Sequence, residues 1–422
     1  MKKRKLKGAA LAAGICLCLL FNIPAYGEEQ TEDPAAASQE AVPAQISTNS
    51  IDGWPQGPEI TSQSAVVMEE STDTVLYAKD MDQIQYPAGT VKIMTCLLAL
   101  ENSQLTDQVT MTETGVSGVT DGGASISAQL DETFTMEQCL YAMMLASAND
   151  IALQVAEHVS GSVDAFVAQM NERASQLGCT NTVFTNPTGL PDTNQHTTAH
   201  DMALIMKAAI SNETFRTIAG ASTYTIPATN VSGGIRSLTS SFAMTNNTSP
   251  VYYEGCIGGK ESYTNDSGST LVCAAQRNGT TLICVVLKGA ADQTDPEAVT
   301  LLDYGFGNFQ KLDLSKNDFD ILSGGTVMVP SGTTADALTF QDSQGQDYTD
   351  RQYFFNGAPV GTSQVDSITE DNDEITKQGA SNMQEAKEFS ESHSKEPFYV
   401  IGAIGFIILL LLIWKMIRII KS

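Results

Sequence analysis

Three short segments of this 422-residue chain carry lysine, hydroxyl, amide or carboxyl side chains. The candidate residues are Lys92 in residues 86–95, Ser147 and Asn149 in residues 147–150, and Lys260 and Glu261 in residues 258–262. A desolvated lysine can lose its proton, and the neutral amine can then activate a neighbouring hydroxyl as a nucleophile. These residue types are therefore the ones that acyl transfer through a hydroxyl would need.

Metal, cofactor and nucleic-acid chemistry have little support in the sequence. His196 and His200 show no H-E-x-x-H or other paired spacing and the cysteines form no C-x-x-C pair, so no metal or cofactor is predicted. The chain has 23 Lys+Arg against 49 Asp+Glu, a formal net charge of −26. We expect no nucleic-acid partner, because such binding needs cations that neutralise phosphates.

Hydrophobic patterning predicts the elements that position these segments. Residues 65–68 and 74–77 are predicted to form a strand pair, and a helix carrying Lys92 follows Pro87. A capping-box pattern at Thr135 predicts the start of another helix. Strands, then a block of helices, then further strands follow one another, and this order favours an α+β fold over a doubly wound α/β sheet.

The three segments resemble the motifs of serine-type D-alanyl-D-alanine carboxypeptidases, the low-molecular-mass penicillin-binding proteins. Residues 86–95 (YPAGTVKIMT) look like the nucleophile helix, residues 147–149 (SAN) like the S-x-N element, and residues 258–262 (GGKES) like the K-T-G strand. The resemblance covers about residues 52–310. It implies a β-lactamase/transpeptidase-like α+β domain, in which helices flank a mostly antiparallel sheet and the cleft lies at one sheet edge.

The resemblance also implies a role for each residue. In the family, the S-x-x-K lysine activates a serine that attacks the terminal D-Ala-D-Ala amide, and water then hydrolyses the acyl-enzyme. Lys92 would be that base, and Ser147 and Asn149 would shuttle protons and hold the substrate. Lys260 and the residue after it would bind the terminal carboxylate of a peptidoglycan stem peptide or muropeptide.

The nucleophile of the family pattern is missing from this chain. The position three residues before Lys92 is Gly89, which has no side chain and cannot accept an acyl group. Thr90 is a hydroxyl neighbour, but it lies two residues from Lys92 and about 100° away around the helix. Residues at that spacing do not face each other, so Thr90 is a poor replacement.

A second departure lies in the strand motif, where Lys260 is followed by Glu261 and Ser262 instead of threonine and glycine. If Glu261 takes the place of the threonine, its carboxylate faces the carboxylate of the substrate. Two like charges about 4 Å apart repel by roughly 4 kcal/mol at an effective dielectric of about 20. Both departures favour loss of the carboxypeptidase reaction.

Two explanations for the retained residues remain open. Lys92, Ser147, Asn149 and Lys260 could tie two subdomains together by buried hydrogen bonds, or they could line a cleft that binds a peptide or β-lactam without covalent attack. The first functional hypothesis is accordingly a cell-envelope pseudoenzyme of peptidoglycan metabolism. The alternatives are an active carboxypeptidase with a rearranged nucleophile and a purely structural wall spacer.

Composition divides the chain into segments. We predict a signal peptide at 1–27 (a retained anchor being the alternative), a disordered leader at 28–51, the carboxypeptidase-like domain at 52–310 and a small β-rich domain at 311–365. An acidic stalk at 366–397, either flexible or helical, leads to a transmembrane helix at 398–417. Cations follow that helix, so we expect the main domain to be extracellular and anchored to the cell membrane.

One cysteine pair stands out among the six outside the signal peptide. Strand-like runs surround Asn278-Gly279, a strong hairpin signal, and a two-residue turn there places Cys273 directly opposite Cys284. An exported protein could form a disulfide between them. The alternative is two free buried thiols that behave as small apolar residues.

Overall fold

The structure is a computed structural model that describes residues 46–119, 123–316, 320–345 and 348–366. The predicted signal peptide, nearly all of the predicted stalk and the predicted transmembrane helix at 398–417 lie outside these residues. Within the described ranges, no helix is both long enough and apolar enough to cross a membrane.

The helices and strands follow the predicted order of strands, helices and strands. The helices are α1 (Lys92–Asn102), α2 (Glu113–Ser117), α3 (Met136–Leu145), α4 (Asn149–Ser160), α5 (Val163–Gln176), α6 (Ala199–Ser211), α7 (Glu213–Ala219) and α8 (Thr294–Asn308). The strands are β1 (Ser64–Glu69), β2 (Val75–Lys79), β3 (Gln108–Thr110), β4 (Thr133–Thr135), β5 (Thr223–Ile226), β6 (Arg236–Thr239), β7 (Cys256–Thr264), β8 (Gly268–Arg277), β9 (Thr280–Gly289), β10 (Phe309–Asp313), β11 (Ile321–Gly324), β12 (Thr326–Pro330), β13 (Thr339–Gln344), β14 (Tyr348–Phe355) and β15 (Ala358–Asp366).

A five-stranded antiparallel sheet in the order β2-β1-β9-β8-β7 forms the centre of the molecule. Alternate residues of its strands enter two different cores: Val272 and Val285 pack on the side of α1, α3 and α6, whereas Leu271 and Val286 pack on the side of α8. A sheet buried on both faces reads as a nearly continuous apolar run, which is what β8 and β9 show. The predicted α+β fold is confirmed, and β7 is one of the two edge strands, with β2 at the other edge.

Local signals start the helices where the sequence predicts them. The Thr135 hydroxyl accepts a hydrogen bond from the Gln138 backbone N–H, and the Gln138 side-chain oxygen accepts one from the Thr135 N–H, which completes a capping box. Ser162 and Thr198 cap α5 and α6 in the same way, each accepting from a backbone N–H three residues on. These caps fix the starts of three helices whose apolar side chains enter the first core.

Strands β10–β15 form a two-stranded sheet, β10-β12, and a four-stranded sheet, β11-β15-β14-β13. Their apolar side chains share the second core with the central sheet. Trp54 lies between the two regions: its ring centroid is 5.1 Å from that of Phe309 and 6.1 Å from that of Phe355, and its Nε1 donates to the Leu76 carbonyl at 2.8 Å. The β-rich segment is therefore packed onto the main domain.

The end of the predicted leader is ordered, so the prediction of disorder is wrong for residues 46–51. Residues 47–50 form a 3₁₀ turn, and Ile46 makes a β-bridge with Lys79. Ile46 is buried in the second core, and the Thr48 hydroxyl accepts from the Ala78 N–H at 3.3 Å. A buried apolar side chain, a β-bridge and hydrogen bonds to β2 hold this segment, whose composition alone indicates disorder.

The hairpin register places Cys273 opposite Cys284, as the turn signal predicts. Both thiols are fully buried on the α8 side of the sheet, and all six cysteines in the described residues are free. The structure thus agrees with the free-thiol alternative.

We therefore expect denatured, unreduced protein to take up one alkyl group at Cys273 and one at Cys284 when it is treated with a maleimide. Peptide mapping by mass spectrometry measures this, and a reduced sample is the control. A disulfide-linked peptide that joins the two positions would contradict the structure.

Candidate active site

Lys92 stands at the first residue of α1, directly after a 3₁₀ turn over residues 88–91. The turn begins at Ala88, which has a left-handed φ of 49°. Such a φ is costly for a residue with a Cβ and persists where surrounding structure imposes it. The backbone is thus held in a specific shape just where the family pattern places its nucleophile.

The Lys92 amine is buried and fully engaged. Its Nζ donates to Asn149 Oδ1 at 2.7 Å and to the Thr188 carbonyl, and the side chain is 2% exposed. Burial lowers the pKa of Lys92 well below its ordinary value of 10.5, and the nearby Lys260 lowers it further, against an opposing effect of Asp150. The amine is therefore poised as a base.

The loop over residues 186–189 is pressed against the turn that carries Gly89. The Asn186 side-chain oxygen accepts from the N–H groups of Thr188 and Gly189, which closes the loop on itself. Gly189 has a φ of 79°, and a Cβ on it would lie 1.9 Å from the Ala88 carbonyl oxygen. The contact requires glycine, and it delivers the Thr188 carbonyl to Lys92.

The S-x-N segment connects α3 to α4 and faces the strand motif. Ser147 has a left-handed φ of 54°, and its Oγ accepts a hydrogen bond from Lys260 Nζ. Lys260 is fully buried, and burial lowers the pKa of its ammonium to about 8. The structure brings Lys92, Ser147, Asn149 and Lys260 together as the sequence predicts.

Glu261 lies in the same cleft and is paired with a second carboxyl group. Burial raises the pKa of Glu261 to about 7, and its hydrogen bond with Asp295 and the charge of that carboxylate raise it as well. Burial also raises the pKa of Asp295. Glu261 is therefore partly protonated near neutral pH, and the pair carries less negative charge there than two ionised carboxylates would.

A hydroxyl from β7 stands beside residue 89. Ser262 Oγ accepts a hydrogen bond from the Gly89 N–H at 2.9 Å. A Cβ on Gly89 would lie 2.7 Å from that oxygen and 3.7 Å from Lys92 Nζ. Thr90, by contrast, is fully buried and donates its hydroxyl to the Pro87 carbonyl at 2.6 Å. Thr90 carries the hydroxyl of the turn over residues 88–91, and this hydroxyl is already hydrogen-bonded to a backbone carbonyl.

The residues around this point line a cavity of about 440 Å³ on the β7 side. Its walls carry hydroxyl and carboxyl groups, contributed by Ser147, Ser241, Glu261, Ser262, Thr294 and Asp295 among others. A cavity of that volume accommodates a ligand of peptide or drug size.

Sequence reasoning missed three contributors to this site. Thr188 acts through its backbone carbonyl, which no side-chain pattern reveals, although the Asn-Pro-Thr-Gly run does indicate a tight turn. Asp295 lies on α8 and meets Glu261 only in three dimensions. Ser262 departs from the family motif, but the motif does not indicate its contact with Gly89, which lies 173 positions away in the sequence.

Replacing Gly189 tests the docking of the loop. Gly189→Ala should lower the free energy of unfolding by about 1–2 kcal/mol from left-handed strain and by a further ~1–3 kcal/mol from overlap with the Ala88 carbonyl. Gly178→Ala is the matched control. Gly178 has a φ of 84°, but a Cβ built on it has no neighbour nearer than Leu204 Cδ1 at 4.0 Å. Urea unfolding of both variants gives the comparison, and equal losses would contradict the close approach.

Glu261 also makes stability depend on pH. Its native pKa of about 7 exceeds its ordinary value of 4.5, so native protein binds the proton more tightly and loses stability as pH rises between those values. Glu261→Gln removes this loss. The melting temperature of the variant minus that of wild type should therefore be about 2–4 °C higher at pH 8 than at pH 5. Glu254→Gln, at an exposed carboxylate, is the control and should show no such pH-dependent gain. If the melting temperatures of Glu261→Gln and wild type change in parallel from pH 5 to pH 8, the raised pKa of Glu261 is refuted.

Comparison with known proteins agrees with this geometry. The D-alanyl-D-alanine carboxypeptidase family profile (peptidase S11) matches residues 52–291. The D-alanyl-D-alanine carboxypeptidase DacF of Bacillus subtilis (strain 168) is 30% identical over 304 residues, which are 68% of this chain and 74% of that protein. A D-alanyl-D-alanine carboxypeptidase of Mycobacterium tuberculosis is 32% identical over 261 residues, 60% of this chain and 84% of the relative.

Solved structures show the same similarity. The crystal structure of penicillin binding protein 5 from Haemophilus influenzae aligns with a TM-score of 0.63 at 25% identity, covering 74% of this chain and 98% of that one. A D-alanyl-D-alanine carboxypeptidase from Mycobacterium tuberculosis aligns with a TM-score of 0.56 at 28% identity, covering 61% and 95%. The motif order, the edge-strand cleft and these matches together show that the chain belongs to the D-alanyl-D-alanine carboxypeptidase family of peptidoglycan metabolism.

Proposed function

We propose that this protein binds peptidoglycan stem peptides or muropeptides in the family cleft without forming an acyl-enzyme. The observation that carries the proposal is the absence of a side chain at Gly89. A Cβ built on that residue would lie 3.7 Å from the Lys92 amine. A base without an adjacent hydroxyl on its own helix cannot start the usual covalent reaction. The proposed protein is thus a pseudoenzyme that retains the cleft.

The remaining groups support recognition rather than catalysis. Lys260 is buried against Ser147, and the cavity beside them is large enough for a peptide end. The pair of Glu261 and Asp295 holds one proton near pH 7, so a ligand with a terminal carboxylate meets less repulsion below that pH. We infer that binding of such a peptide is stronger in mildly acid solution.

The location of the protein is also a proposal. Five cations before an apolar stretch at the start of the sequence, and seventeen apolar residues at 398–414 followed by cations, support export and anchoring in the bacterial cell membrane. Export and membrane anchoring together would give the cleft access to the cell wall. Protease treatment of intact cells, with the wall removed, tests this: a digested main domain agrees with the proposal and a protected one does not.

Intact-mass spectrometry after exposure to a β-lactam tests the central proposal. We expect no mass increase on the wild-type chain, and no release of D-alanine from a diacyl-D-Ala-D-Ala tripeptide. Either a covalent adduct or released D-alanine would instead favour the alternative, an active carboxypeptidase.

Reversible binding needs its own measurement. Titration calorimetry with a muropeptide ending in D-Ala-D-Ala should show binding that weakens at least about tenfold in Lys260→Met, since a charge-assisted hydrogen bond contributes ~1.5–3 kcal/mol. Lys316→Met, at an exposed lysine of the β-rich region, is the control and should bind normally. No binding by the wild-type chain would leave only the wall-spacer hypothesis.

A further inference from the structure

The hydroxyl of Ser262 occupies the space into which a side chain at position 89 would project. The Oγ is 2.7 Å from the ideal Cβ position of residue 89, and Ser262 Cβ is 3.2 Å from it. Real Cβ atoms essentially never lie within 3.0 Å of a heavy atom outside their own residue and its two chain neighbours. A serine at 89 and the serine at 262 therefore cannot both keep their present backbone and rotamer.

Rotation of Ser262 would relieve only part of the overlap. Its Oγ would leave the Gly89 N–H, which donates to it at 2.9 Å, and its own Cβ would still stand at 3.2 Å. An N–H left without a partner at a buried helix start costs free energy. The rotamer seen here is thus tied to glycine at 89.

Neither backbone can withdraw from the contact. On the strand side, Ser262 is paired with Thr270 of β8, whose hydroxyl donates to the Ser262 carbonyl at 3.1 Å. On the helix side, Gly189 is packed behind the turn: a Cβ on Gly189 would lie 2.8 Å from Gly89 Cα. The turn and the edge strand are held together from both sides.

We propose that Gly89 and Ser262 form a mutually exclusive pair in which Ser262 is a positioning residue: it holds the Gly89 turn and fills the space that a side chain at position 89 would need. Its hydroxyl, on the strand, accepts the hydrogen bond of the Gly89 N–H. Restoring the serine at 89 alone would not restore acylation, because Ser262 fills its place. This inference rests on the proposed function only in its prediction about acylation.

A stability cycle tests the steric part without any activity. Gly89→Ser should lower the melting temperature by about 3–8 °C, whereas Gly89→Ser in the Ser262→Gly background should lower it by less than half of that. Gly307→Ser, at a helical glycine with nothing within 4 Å of its Cβ position, is the matched control and should cost the same in both backgrounds. Equal costs for Gly89→Ser in both backgrounds would overturn the proposal.

If Gly89→Ser yields no folded protein in either background, Gly89→Ala goes through the same cycle. This substitution adds only the Cβ that meets Ser262. We again expect a smaller loss of melting temperature in the Ser262→Gly background, and equal losses in both backgrounds would again overturn the proposal.

Labelling with a fluorescent penicillin at pH 6, where Glu261 is protonated, tests the functional part. We expect the double variant Gly89→Ser/Ser262→Gly to label at least tenfold faster than Gly89→Ser, with the adduct on residue 89 by peptide mapping. Equal labelling of the two variants would overturn the exclusive pair. So would a wild-type adduct on Ser262, which would make that serine a nucleophile. A wild-type adduct elsewhere would refute the proposed function but leave the stability cycle intact.

Discussion

The whole cleft depends on satisfying one buried amine. The Lys92 Nζ donates to two acceptors, Asn149 Oδ1 and the Thr188 carbonyl. These two contacts join the starts of α1 and α4 to the loop over residues 186–189. Lys92 is in this way a structural tie, and its contacts do not require a serine at position 89.

This structural role changes what the retained motif residues mean. If Lys92 were lost, two buried acceptors would be left unpaired, at a cost of roughly 1–3 kcal/mol each. The same reasoning holds for Lys260 and Ser147, whose contact joins the edge strand to the segment between α3 and α4. Selection for a folded cleft is enough to keep such residues. Catalysis must therefore be judged from groups with no structural duty, and residue 89 is the one that matters.

Much of the fold and the gathering of the motif residues follow from sequence, because local signals specify them. The capping box at Thr135 and the turn at Asn278-Gly279 fix a helix start and a strand register. The contact of Ser262 with Gly89 could not be predicted that way, since it depends on how closely an edge strand approaches a turn. The order at residues 46–50 also depends on distant partners, here a strand that lies about 30 residues further along the chain.

The position of Trp54 has a consequence for how the chain can be divided. Its indole packs on Phe309 and Phe355, so residues from the start of the main domain and from the last described strands complete a common interior. A fragment that stopped near residue 310 would leave this tryptophan and its apolar surroundings open to water. The described β-rich strands and the main domain therefore share one interior, which a cut near residue 310 would open.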